Sequence, residues 1–122
     1  MLKISEKILE YENALAFVTG DNIAQVASQT LSNINVIRQA AKYPILSPLL
    51  GFDKEEIIQV AKNIKTFQLS ILPYQDCCSF LISEHPATSS NLEEIKTFEK
   101  NIKEKELIEE AVKNSIIKKI LN

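Results

Sequence analysis

The sequence predicts an α/β fold with parallel strands, and three observations carry that prediction. Leu15-Ala16-Phe17-Val18 is a short continuous apolar run of the kind found in strands covered on both faces. Ile45-Leu46 with Leu49-Leu50 is a second such run, made irregular by Pro48, which has no N–H to give to a ladder. Each run leads through a turn into an amphipathic helical pattern, and strand–helix–strand alternation implies parallel strands joined by right-handed crossovers. Two strands are convincing, with a third if Gln68–Leu72 pairs. The pattern is that of part of a larger sheet.

In chain order, residues 2–13 read as a helix, with Ile4, Ile8 and Leu9 on one face and Lys3, Glu6, Lys7 and Glu10 facing out. It begins abruptly, with no capping residue ahead of it. After the first strand, Asp21 or Asn22 of Thr19-Gly20-Asp21-Asn22 is placed to cap a helix over 22–42. That helix would bury Ile23, Val26, Ala27, Leu31, Ile34 and Ile37, and Pro44 ends it. Asp53-Lys54-Glu55-Glu56 is a capping box opening a helix that presents Ile57, Ile58, Ala61 and Ile64. Residues 66–88 form an irregular stretch of the length that is often functional. From there the composition shifts, with 7 Lys and 7 Glu in the 32 positions of 91–122. Ser90 and Glu93 form another capping box. Ile95, Phe98 and Ile102 make one apolar stripe; Leu107, Ile108, Ala111, Val112, Ile116, Ile117 and Ile120 make a second. The chain therefore divides into an α/β part, 1–90, and amphipathic helices, 91–122, that close over the core or dock on a partner.

Composition excludes several classes. The 122 residues carry a net charge of −2, so no basic footprint for nucleic acid stands out in the whole-chain balance. No run approaches the roughly 18 consecutive apolar residues of a membrane span. Met1-Leu2-Lys3-Ile4-Ser5-Glu6-Lys7 lacks the layout of a secretory signal, and free cysteines fit a reducing cytoplasm. Only two glycines occur, Gly20 and Gly51, which predicts a backbone reason for each.

Both cysteines lie side by side in Pro73-Tyr74-Gln75-Asp76-Cys77-Cys78. A bridge between neighbours is strained and closes almost no chain, so it would be a poor staple. The pair points to sulfur chemistry or metal binding, or else to two small buried hydrophobes. Asp76 would raise a neighbouring thiol pKa unless a cation or helix N-terminus offsets it. His85, the one histidine, is more readily a bystander than a partner. Two cysteines and one histidine leave the ligand set of a structural zinc site incomplete.

The stretch Val18-Thr19-Gly20-Asp21-Asn22-Ile23-Ala24-Gln25-Val26-Ala27-Ser28-Gln29-Thr30-Leu31 resembles the nucleotide-site segment of the tRNA 4-thiouridine sulfurtransferases, which also supply sulfur for the thiazole of thiamine. The resemblance continues through Ser47-Pro48-Leu49, Asp53 to Ile58, Ile71 to Cys78, Pro86-Ala87-Thr88 and Leu107 to Val112. It implies a partial Rossmann-like sheet of the adenine-nucleotide alpha-hydrolase type. It also implies ATP with Mg2+, adenylation of a uracil oxygen in tRNA, and sulfur delivery by a cysteine persulfide charged by a cysteine desulfurase. Gly20 and Gln29 match the family's nucleotide contacts, and Cys77 and Cys78 match its cysteine region, Cys77 the more closely when counted from Gly20. Gly20 would let ligand approach the backbone, and Gln29, two turns into the expected helix, would hydrogen-bond the nucleotide through its amide.

The sequence also departs from the family. It holds neither the glycine-rich phosphate loop nor the RNA-binding portion, and Met1 falls inside a helix that continues upstream in the family. Asp21 stands where Glu is usual and Ala24 where Gly is usual. Weak binding of ATP and tRNA by the isolated chain is expected, together with exposed apolar faces that invite self-association or the missing half. Activity as part of a larger or split enzyme is one expectation. A non-catalytic remnant or dimerising module is another, and a small thiol carrier using Cys77 and Cys78 without ATP is a third.

Overall fold

The two apolar runs pair as parallel strands, β1 (Phe17–Val18) and β2 (Ile45–Leu46), with Phe17 opposite Ile45 and Val18 opposite Leu46. The structure, a computed structural model, describes residues 1–23, 28–74 and 87–118. The readings made on Ala24, Val26, Ala27, Asp76, Cys77, Cys78, His85 and Ile120 lie outside the described residues.

Around the strands lie α1 (Leu2–Tyr11), α2 (Leu31–Arg38), α3 (Lys54–Asn63), a single turn α4 (Phe67–Ser70), α5 (Leu92–Glu99) and α6 (Glu104–Lys113). The α/β class and the order of elements follow the sequence reading. The Asp53 box is present in full: the Glu56 N–H donates to Asp53 Oδ1 at 2.8 Å, and the Asp53 N–H donates to Glu56 Oε2 at 2.7 Å. Asp53→Ala is expected to cost about 1 kcal/mol of stability, read as a lower urea midpoint at unchanged slope.

Several expectations give way. The helix expected over 22–42 begins only at Leu31, because Thr30 caps it, its hydroxyl accepting from the Asn33 N–H at 3.2 Å. Neither Asp21 nor Asn22 is a cap. Leu31 and Ile37, expected inside, are exposed, while Ile34 is buried. Glu6, expected outside, is buried and accepts the Lys42 N–H, tying α1 to the chain beyond α2. Gln68–Leu72 forms α4 and its end rather than a strand, and Lys62 caps the contact by sitting 5.3 Å from the Phe67 ring centre. Ser90 is not the cap of α5. Its N–H and carbonyl are spent on Asn33 and Ser32, so Asn91 caps instead, accepting from the Glu93 N–H at 2.9 Å. The last helix stops at Lys113, which leaves Ile116 and Ile117 exposed beyond it.

Helices α1 and α6 pack together, and Lys3 bridges them, donating to Glu104 with Glu99 at 3.8 Å. The hydrogen bond to Glu104 holds the Lys3 ammonium above its ordinary pKa. Burial is thin: among the described residues the buried apolar side chains are Leu9 and Ile34, and neither is fully enclosed. The strands were expected to be covered on both faces. Instead Val18 is 73% and Leu46 55% exposed, and no other strand pairs with either among the described residues. Parallel sheets persist where both faces are covered, so this pair has the surface of a sheet interior without its covering.

Candidate functional site

In parallel sheets, ligands collect outside the carboxyl ends of the strands, and here that edge carries a connected set of polar side chains. Pairing runs one residue past β1, with the Thr19 N–H donating to Leu46 O at 2.9 Å. Thr19 Oγ1 donates to Asp21 Oδ2 at 2.7 Å and lies 2.8 Å from Ser47 Oγ. Arg38 Nη2, from the last turn of α2, donates to Ser47 Oγ at 2.8 Å. With the Thr19 proton committed to Asp21, the Ser47 proton has two acceptors, Thr19 Oγ1 at 2.8 Å and Asp21 Oδ2 at 3.4 Å. The chain of donors then runs from the Arg38 guanidinium through two hydroxyls to the Asp21 carboxylate. It crosses both strand ends and fixes the residues flanking Gly20.

Gly20 itself is not there for packing or for an unusual backbone. A Cβ built on it meets nothing within 4 Å among the described residues, and its φ is outside the left-handed region. The left-handed positions among the described residues fall instead to Asn13 (φ 53°) and Lys65 (φ 63°), at the ends of α1 and α3. A glycine that neither its neighbours nor its dihedrals require leaves open space above the backbone at the strand end.

The next residue but one anchors the loop. Asn22 is 4% exposed, and its Nδ2 donates to Leu49 O at 2.8 Å and to Phe52 O. The Ile23 N–H donates to Leu50 O at 3.1 Å beside it. The loop after β1 is thus hung on the loop after β2. Asn22 Oδ1 is buried and has no partner among the described residues, a cost of about 1–3 kcal/mol that its two donor bonds must offset.

Gln29 is not two turns into a helix. It lies in the connection ahead of α2, where its Oε1 accepts the Asn22 N–H at 3.1 Å. The structure therefore links the two sequence-predicted nucleotide residues through Asn22, which follows Gly20 by two positions.

A second buried asparagine joins this connection to the residues that follow the cysteine segment. Asn33 Nδ2 donates to Ser28 O at 2.9 Å and to Ala87 O at 2.7 Å, while its Oδ1 accepts the Ser90 N–H at 2.8 Å. Thr30 Oγ1 adds a bond to Thr88 O at 2.7 Å. Sequence reasoning missed Asn33, Arg38 and Ser47. The available signal for Asn33 was its place three residues after Thr30, next to Ile34, on the face that α2 buries.

The family model described as Thiamine biosynthesis protein (ThiI) matches residues 1–104 of the chain. The chain belongs to this family. It is 44% identical over 115 residues to a probable tRNA sulfurtransferase of Acetivibrio thermocellus and 45% identical over 113 residues to one of Thermus thermophilus. These alignments take in 94% and 93% of the chain but 29% and 28% of those proteins. A solved structure described as a 4-thiouridine synthetase–RNA complex with bound ATP superposes with a TM-score of 0.83 at 44% identity, over 92% of the chain and 29% of its own length. The chain thus spans under a third of the ThiI relatives it matches.

The ThiI match covers β1, β2, the polar set at their ends and both buried asparagines, so these features lie inside the family's shared region rather than in an appended segment. Within the described residues no group of three or more His, Cys, Asp or Glu gathers in a way that would hold a metal ion.

Proposed function

We propose that this chain contributes the Gly20 loop and the cysteine pair to ATP-dependent sulfur transfer onto tRNA uridine, acting with the parts of the enzyme that lie outside these 122 residues. The observation that carries this reading is the open backbone at Gly20, at the carboxyl end of parallel strands, in a ThiI-family chain. A nucleotide laid across that edge would meet backbone at Gly20 and the amide of Gln29. ATP would arrive with Mg2+ on its phosphates. Adenylation of the uracil oxygen turns it into a leaving group. Cys77 or Cys78, loaded as a persulfide by a cysteine desulfurase, would then deliver the sulfur, and the same persulfide sulfur would serve thiazole synthesis.

Gly20→Val separates ligand approach from packing. A side chain there meets open space among the described residues, so the thermal midpoint of the chain is expected to stay within about 2 °C, while the whole enzyme's ATP affinity falls about tenfold or more. Unchanged ATP affinity on calorimetric titration would remove Gly20 from the site.

The exposed strand residues Val18 and Leu46, with Leu15 before β1, favour a second reading as a dimerising module. The two readings part on one measurement. Addition of the phosphate-loop and RNA-binding parts should restore ATP binding under the first reading and leave it absent under the second.

A further inference from the structure

We infer that Asn22 is a positioning residue that turns Gln29 toward the nucleotide as a hydrogen-bond donor, so that the ligand atom facing Gln29 is an acceptor lone pair. This rests on the reading of Gln29 as a nucleotide contact. The polarity follows from atoms whose roles are fixed. A backbone N–H only donates, so the atom of Gln29 that meets the Asn22 N–H at 3.1 Å is the acceptor Oε1 and not the amide nitrogen. That bond uses one of the two Oε1 lone pairs and directs the oxygen end of the amide at the Asn22 backbone. The Nε2 end is left with two hydrogens, and it has no hydrogen-bond partner among the described residues. Gln29 is half-buried, and Nε2 is not among the buried polar atoms left without a partner, which are Asn22 Oδ1 and Arg38 Nε among the described residues.

The same logic fixes Asn22. It faces the carbonyl oxygens of Leu49 and Phe52, which only accept, so the atom between them is Nδ2. Two carbonyls of the β2 loop and the Ile23-to-Leu50 bond hold the Asn22 backbone in place, and that backbone N–H holds the Gln29 amide. A freely rotating glutamine offers donor and acceptor equally; this one offers its donor. Among the atoms of ATP, an adenine ring nitrogen, a ribose oxygen or a phosphate oxygen accepts such a bond. The exocyclic amine, whose role in recognition is to donate, does not.

The test is calorimetric titration of ATP into the whole sulfurtransferase carrying this chain. Gln29→Ala is expected to weaken binding about fivefold to tenfold, the scale of one hydrogen bond. Gln29→Glu keeps an acceptor for the Asn22 N–H but has no donor, and it should lose at least as much. That loss should persist at about 0.5 M salt, where repulsion from the phosphates is screened. Asn22→Ala should match Gln29→Ala, and the double variant should lose no more than either alone. An unchanged Gln29→Ala enzyme would remove Gln29 from the nucleotide site altogether. Weakened Gln29→Ala with wild-type affinity in Gln29→Glu would overturn the donor assignment only. Additive losses in the double variant would overturn the role of Asn22. If Asn22→Ala does not fold, the Gln29→Glu result alone decides the donor assignment.

Discussion

Replacement of Cys77 by serine is expected to abolish thiolation of tRNA by a sulfurtransferase that carries this chain, by about three orders of magnitude or more, while adenylation continues. The asymmetry follows from what a thiolate does. Its sulfur would take the outer sulfur of a donor persulfide, which leaves as a thiol. The terminal sulfur of the new persulfide would then attack the carbon activated by AMP and expel AMP. A second thiol would break the remaining S–S bond, freeing the thiouridine and forming a disulfide that an external thiol reduces. A hydroxyl at this position is a far weaker nucleophile and forms no persulfide. The adenylation half needs the nucleotide loop and the phosphate-binding part but no thiol, so pyrophosphate release should stay near wild type. Cys78→Ser is the matched control, since the two thiols are adjacent and either is within the matching segment. The measurements are 4-thiouridine in digested tRNA and pyrophosphate release in the same reaction. Full thiolation by Cys77→Ser with loss in Cys78→Ser would move the carrier one residue along. Full thiolation by both would remove the pair from sulfur transfer.

The features legible in the sequence are those whose physics is local. The Asp53–Glu56 box needs only four consecutive residues, and both of its bonds form. The two apolar runs became strands in register because each is bounded by turn chemistry within a few residues. The glycine at the end of β1 was readable from its position as a turn between strand and helix, and its reading as a ligand approach came from the resemblance.

What was not legible depends on partners distant in sequence. Asn22 reads as a helix cap until the carbonyls of Leu49 and Phe52, 27 and 30 residues away, claim its amide. Its loss as a cap and the bond it makes to Gln29 move the helix start to Leu31, which carries Gln29 off the helix and into the loop. The apolar spacing at 23, 31, 34 and 37 suggested one long helix, yet a period cannot register that Thr30 restarts the count with its own hydroxyl. Ser90 was misread as a cap for the same reason, since Asn33 competes for its N–H from 57 residues away. The exposure of Val18 and Leu46 was foreseen only through the resemblance, because the strands themselves read as those of a covered sheet.

Asn33→Ala is expected to destabilise the chain by about 2–4 kcal/mol. Three bonds are lost at one buried position: those to Ser28 O and Ala87 O and that from the Ser90 N–H. The groups left behind differ in exposure, which sets the range. Ala87 is exposed and water replaces its bond, whereas Ser90 is half-buried and its N–H faces the space the amide leaves. Against a total of about 5–15 kcal/mol for an ordinary domain, and with Leu9 and Ile34 as the buried apolar side chains described, this loss is a large share. It also has a definite location. Residues 87–90 are held to α2 by Asn33, Thr30 and Ser32, so removal of Asn33 should raise amide exchange at Ser90 well above that at Ile57 in the independently capped α3. Asn33→Asp discriminates between the bonds. It keeps the acceptor for the Ser90 N–H but sets a carboxylate against the carbonyls of Ser28 and Ala87, so it should be at least as unstable as Asn33→Ala. Urea unfolding and hydrogen exchange on the three proteins measure both effects. A shift below about 0.5 kcal/mol in Asn33→Ala, the ordinary scatter of surface substitutions, would mean that the asparagine does not hold these segments together.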